Sequence, residues 1–209
     1  MAFLLVSACS GILPPADGRE VASAIAKQHG WSPLTYDTGT FLLRGYLKDK
    51  NPEEDDLVIY VEGDGQAWPK RDRPPADPTP SNPMALRLAL QDPHARVLYL
   101  ARPGQYLNPN GLHHCPEPYW TTARFSKTVT EAMNAALDQV KRDLDPSRLH
   151  LIGYSGGGSL VVLLAAQRSD VQSVMTVAGN LDHAAWTRYH KVTPLRDSLN
   201  PAKVMSDSN

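Results

Sequence analysis

Apolar and polar residues alternate along this chain in two rhythms, one helical and one extended, and the chain switches between them repeatedly. From Arg19 to His29 the apolar positions Val21, Ala24, Ile25 and Ala26 fall at helical spacing, and Gly30 closes a predicted short helix. Leu34–Tyr36 and Phe41–Leu47 flank Asp37-Thr38-Gly39, which reads as a β-hairpin. Leu57–Val61 and Val97–Leu100 are unbroken apolar runs, the mark of strands buried on both faces. Between them, Asn82 as N-cap and Pro83 as first helical residue predict a helix from Met84 to Leu90. Phe125, Val129, Met133, Ala136, Leu137, Val140 and Leu144 recur at three- and four-residue steps and predict a long helix. A strand at Leu149–Ile152, an apolar helix from Gly156 to Gln167 and a strand at Val171–Val177 follow. A hairpin followed by β-α repeats predicts an α/β fold with a mostly parallel sheet and helices on both faces. Beyond Ala178 no apolar run is long enough for a strand, and 190–209 carry Pro194, Pro201 and scattered polar residues.

Composition narrows the class. A chain of 209 residues with no internal repeat or clear linker suits one domain, here 10–209 after a short N-terminal segment, 1–9. Lys and Arg (21) nearly balance Asp and Glu (22), which argues against a nucleic-acid partner. No apolar run reaches the length of a membrane-spanning helix, and two cysteines make no disulfide framework. Of the 18 prolines, six fall between Pro69 and Pro83, so a stiff irregular loop separates the first buried strand from the helix after it.

One motif carries chemistry. Gly153-Tyr154-Ser155-Gly156-Gly157 matches G-x-S-x-G and falls between a predicted strand and a predicted helix. That context puts the serine on a sharp turn with its hydroxyl above the sheet, and glycines two before and two after it admit the crowded strand–helix crossing. Ser155 is the candidate nucleophile, and the Gly156 N–H, at the helix start, a candidate oxyanion donor. A phosphate-binding turn is the competing use. No Gly-Lys-Ser/Thr follows, and the glycine spacing misses the dinucleotide fingerprint, so no cofactor is called for. His113, His114 and Cys115 are metal ligands by residue type only, since adjacent side chains rarely converge on one ion, and no metal is expected. Glu53–Asp56 reads as a solvated turn.

With this turn in place the chain resembles the α/β-hydrolase superfamily. More narrowly it looks like a group of bacterial lipoprotein-type α/β hydrolases. The residues that carry this likeness are Val61–Gly65, Asp77–Pro80 with Asn82-Pro83, Ala101–Pro103, Tyr119–Thr121, Gly153–Gly158 and Ala178–Asp182. The resemblance implies a small-molecule acyl substrate. It also implies a second oxyanion donor from the loop Glu62-Gly63-Asp64-Gly65, supplied by the N–H of Asp64 or of Gly65. It implies a cysteine within Arg102-Pro103-x-Gln105-Tyr106 paired with one like Cys115. Gly104 stands at that position here, which leaves Cys115 as an expected free thiol. The N-terminal Val6-Ser7-Ala8-Cys9 resembles a lipobox, implying lipid attachment at Cys9 and a domain held at a bacterial envelope membrane; a frayed apolar terminus with an incidental cysteine is the alternative.

The catalytic acid and base are the open question. In the superfamily they follow the serine, after the seventh and eighth strands, and the pattern beyond Val177 supplies neither strand. The last two strands are therefore expected to be absent, leaving an apolar sheet edge. Asp182, after the sixth strand, is the remaining candidate acid. His183 and His190, seven residues apart, share a face if the segment is helical, and His190 is the candidate base. The alternative makes Asp182 a helix cap and places the histidines in a surface lid. The expected function is a serine hydrolase of esters or related acyl bonds, or else a non-catalytic envelope protein that keeps the fold.

Overall fold

The computed structural model describes residues 17–66, 73–108 and 115–207. Cys9, His113 and His114 lie outside the described residues, as does 67–72 of the proline-rich loop. The unbroken apolar runs form the sheet's interior: β3 (Asp56–Val61), β4 (Arg96–Leu100) and β5 (Arg148–Tyr154), with β6 (Val171–Val177) beyond β5. The hairpin β1 (Ser32–Asp37) and β2 (Leu42–Asp49) completes a six-stranded sheet of order β1-β2-β4-β3-β5-β6. The four strands from β4 to β6 run parallel, while β1 and β2 pair antiparallel. Ile59 lies beside Leu98 on one neighbour and Leu151 on the other.

Period-two alternation explains why such runs need cover on both faces. Leu57, Ile59 and Val61 point into a core closed by α3 (Lys127–Leu144) and α4 (Gly156–Ala165) through Val129, Met133, Leu137, Leu160 and Leu164. Val58 and Tyr60 point to the opposite face, against Ala22 and Ala26 of α1 (Gly18–Gln28) and Leu86 of α2 (Met84–Ala89). The helix ends follow local chemistry. Asp17 accepts from Arg19 N at 2.9 Å, Ser126 accepts from Val129 N at 3.3 Å, and Asp145 ends α3 with φ 46°.

The start of α2 differs from the sequence expectation. Asn82 is not its cap: Oδ1 accepts from Arg87 Nε at 2.7 Å, and Pro83 sits at the cap position, not inside the helix. The capping oxygen belongs to buried Glu62, which accepts the Ala85 N–H at 3.3 Å from 23 residues upstream. A local reading sees only the nearest polar residue, and here a distant carboxylate takes its place.

After β6 come two helices, α5 (His183–His190) and α6 (Pro201–Asp207), the latter where polar composition signalled none. Proline's fixed φ suits the first helical position, and Pro201 is buried there. The connection folds back on the domain. Leu199 N donates to Phe125 O at 2.9 Å, Ser198 Oγ donates to Thr122 O at 2.8 Å, and Leu195 enters the larger core. Among the described residues β6 has a neighbour on one side only, and Val174 and Met175 are exposed along it, the apolar edge anticipated above.

Candidate functional site

Strand β5 ends at Tyr154, and Ser155 then turns the chain into α4 with φ 49° and ψ −117°. A non-glycine residue there is strained, and such strain persists only where the surroundings impose it. Two backbone hydrogen bonds hold the turn: Ser155 N donates to Val177 O at 2.8 Å, and Gly158 N to Ser155 O at 2.9 Å. The flanking glycines are required by space. A Cβ at Gly153 would lie 2.2 Å from Gly157 O, and one at Gly157 would lie 2.3 Å from Val61 O. Helix and strands thus touch backbone to backbone directly beneath the serine.

Opposite Ser155 lies the loop that follows β3. Glu62 is buried, its Oε1 accepting from Gly63 N at 2.9 Å and its Oε2 from Tyr99 Oη at 3.1 Å. Burial raises its pKa above the ordinary carboxylate value, and the donated hydrogen bonds only partly oppose that. Gly63 O accepts from Gln105 Nε2 at 2.8 Å, and Gln105 Oε1 accepts from Arg102 N at 3.1 Å. A Cβ at Gly63 would lie 3.3 Å from Ser155 Cβ, so this loop abuts the serine. Gly65 holds φ +66° with Pro78 O packed against it. The N–H groups of Asp64 and Gly65 donate no hydrogen bond among the described residues.

The Asp64 side chain bonds Arg102 Nη1, and its other oxygen lies 3.3 Å from Arg124 Nη1. Burial pushes its pKa up, but the two guanidiniums outweigh burial and hold the carboxyl below the ordinary aspartate value. Two cavities meet at Asp64, Gly65 and Ser155. One, of about 560 Å³, is walled by Phe125, Trp186, Val192 and Leu195. The other, of about 350 Å³, is lined by Glu62, Pro80 and Tyr154. A hydroxyl at the junction of two cavities can meet a bond whose two halves occupy different pockets.

Neither Asp182 nor His190 is among the described residues that line the two cavities at Ser155. Asp182 caps α5, accepting from Ala185 N at 3.0 Å and Asn200 Nδ2 at 2.9 Å. The Ala185 N–H, followed by Asn200, lowers its pKa. His190 is exposed at the end of α5, its ring 4.4 Å from Trp186 and 5.0 Å from Tyr189 by centroids. The helical face shared by His183 and His190 exists but is split by burial. His183 is buried, with Nε2 3.0 Å from Leu199 O and its ring 6.0 Å from Phe125. Sequence reading missed Arg124, Lys191 and Trp186 as cavity residues, since they carry no motif; Arg102 and Gln105 were visible only as part of the resemblance. Cys115 is buried and free, with its thiol pushed up to about 12 by burial. A Cβ at Gly104 would lie 3.4 Å from Cys115 Sγ, so the two positions are neighbours.

Comparison with known proteins bears on the fold. The family model for the alpha/beta hydrolase fold matches residues 19–193. A candidate lipase from Acinetobacter baumannii AYE superposes with a TM-score of 0.51 at 12% identity, over 83% of this chain and 49% of its own. An esterase from Pyrococcus furiosus gives 0.49 at 12% identity over 79% and 57%. Est1E from Butyrivibrio proteoclasticus gives 0.44 at 18% identity over 70% and 51%. This chain spans about half the length of these solved structures. No curated protein matches it.

Proposed function

The chain belongs to the alpha/beta hydrolase fold family, and from that premise we propose that it is a serine hydrolase of ester or related acyl bonds, with Ser155 as nucleophile. One observation carries this reading: Ser155 is held at φ 49° and ψ −117° at the junction of two cavities. In the proposed reaction Ser155 Oγ bonds to the acyl carbon and gives up its proton, and the alcohol leaves with a proton. Water then releases the acid and restores the serine. The Gly156 N–H and that of Asp64 or Gly65 stabilise the negative oxygen between these steps.

A second reading, a non-catalytic protein that keeps the fold, is favoured by one fact: among the described residues no histidine lines either cavity. A serine without a base is a weak nucleophile, and such a site keeps only about 10³–10⁴-fold over water. Labelling of the full chain with a fluorophosphonate, read by intact mass, separates the two. Stoichiometric labelling that disappears in Ser155→Ala supports the hydrolase, and no labelling of folded protein supports the second reading. Asp182→Ala is expected to label like the parent chain, because its carboxylate is engaged in capping α5; loss of labelling there would restore Asp182 as the acid.

The proposal includes location. The Val6–Cys9 pattern supports lipid attachment at Cys9 and a domain tethered to a bacterial envelope membrane. Expressed in a bacterial host, Cys9→Ala is expected to shift the protein from the membrane fraction to the soluble one and to abolish palmitate incorporation. Equal partition of the two forms would remove the anchor from the proposal.

A further inference from the structure

The larger cavity beside Ser155 combines apolar walls with an excess of positive charge. Asp64 is the only acid among its described lining residues, while Arg124 and Lys191 both face it. Asp64 is also shared, since Arg102, 3% exposed, bonds its other oxygen. One carboxylate thus serves two guanidiniums, and the group retains a unit of positive charge before Lys191 is added. Arg124 is 9% exposed, and its Nε has no hydrogen-bond partner among the described residues. Burial and the neighbouring Arg102 push its pKa below the ordinary value even against the pull of Asp64. Buried positive charge in excess of its counter-charge is costly unless a further opposite charge arrives. Lys191 ends α5 with φ 53° and is an exposed residue lining the same cavity. Phe125, itself a wall of the cavity, lies under both guanidiniums at 5.2 and 5.8 Å.

We propose that this cavity receives acyl esters bearing an anionic group of the carboxylate class, with Arg124 binding that group and Lys191 closing over it. The inference rests on the serine-hydrolase reading for its chemistry but not for its binding. A short chain lying along Phe125, Trp186 and Val192 places its ester at Ser155 while its charged end meets Arg124. A carboxylate suits a guanidinium because two parallel hydrogen bonds form at once. A neutral ester of the same length leaves the excess positive charge of the Arg102–Arg124–Asp64 group uncompensated.

Isothermal titration of the full-length Ser155→Ala chain with monomethyl glutarate and with dimethyl glutarate tests this without any turnover. The anion is expected to bind about tenfold more tightly or better, the ordinary effect of one charge-assisted contact. Arg124→Gln should remove the difference, Arg124→Lys should restore part of it, and Lys191→Gln, on an exposed helix end, should narrow it without disturbing the core. Equal affinities, no binding of either ester, or a preference unchanged in both Arg124→Gln and Lys191→Gln would overturn the inference. Fluorophosphonate labelling of Ser155 is independent of these outcomes and decides the serine-hydrolase reading separately.

Discussion

Gly157→Ala is expected to destabilise the domain by about 3 kcal/mol or more, at or beyond the upper end of ordinary overpacking. The added methyl would lie 2.3 Å from Val61 O and 2.6 Å from Glu62 O. A crowded side chain can rotate away, but these are backbone oxygens at the end of a central strand. Relief requires α4 to lift from β3, and α4 carries Leu160, Val161, Leu163 and Leu164, all fully buried. The same movement would displace Ser155 and open the gap between it and the Glu62–Gly65 loop. Urea denaturation followed by circular dichroism measures the loss, and fluorophosphonate labelling reports the displaced serine. Gly39→Ala is the control, since its φ of +77° is strained but no atom lies within 4 Å of the added methyl. That change should cost only about 1–2 kcal/mol. Equal midpoints for the two variants would mean that α4 does not press on β3.

Sequence and fold correspond closely wherever one physical signal suffices. Leu57–Val61 and Val97–Leu100 could only be interior strands, because a sheet covered on both faces has no polar positions to offer. The Ser155 turn was legible for a similar reason: two glycines at fixed distance are what a backbone crossing demands. The start of α2 was not legible locally, because the oxygen that caps it comes from Glu62 and reaches Ala85 only after β3 and α2 pack. Arg124 was invisible for the same cause. It lies in an irregular segment before α3 and gains its role from Asp64, on another strand's loop. Asp182 shows the opposite case. A carboxylate after the sixth strand has two plausible uses, and its alternatives separate only when Ala185 N and Asn200 Nδ2 are found occupying it. Helix α6 was missed because it is seven residues long, with its large apolar residues Val204 and Met205 side by side and not at helical spacing, and it is held by buried Pro201 and by Val204 against the larger core.

Asp64→Ala is expected to cost about 3–5 kcal/mol, the usual result of removing one partner of a buried ion pair. The carboxylate is what allows Arg102 and Arg124, 3% and 9% exposed, to sit together over Phe125. Without it two buried like charges lie side by side with no counter-charge, and among the described residues only the Arg124 carbonyl, at 3.0 Å, accepts from Arg102 Nη2. Asp64→Asn keeps the shape and removes the charge, and should lose most of the same stability. The pH dependence gives a second, independent readout. Because Arg102 and Arg124 hold the Asp64 pKa below its unfolded value of about 3.9, its contribution is complete above that pH and is lost as pH falls through the folded pKa. The parent chain should therefore hold a level thermal midpoint near neutrality and decline below about pH 4, while Asp64→Asn starts lower and loses this share of the decline. Monomethyl glutarate should also raise the midpoint of Asp64→Ala more than that of the parent, since a ligand that binds only the folded state stabilises it in proportion to its affinity. In the variant the ligand's carboxylate is the counter-charge that Arg124, on the cavity wall, has lost. An Asp64→Ala chain as stable as the parent at pH 7 would show that the two arginines need no counter-charge, and would remove the electrostatic basis for an anionic ligand at Arg124.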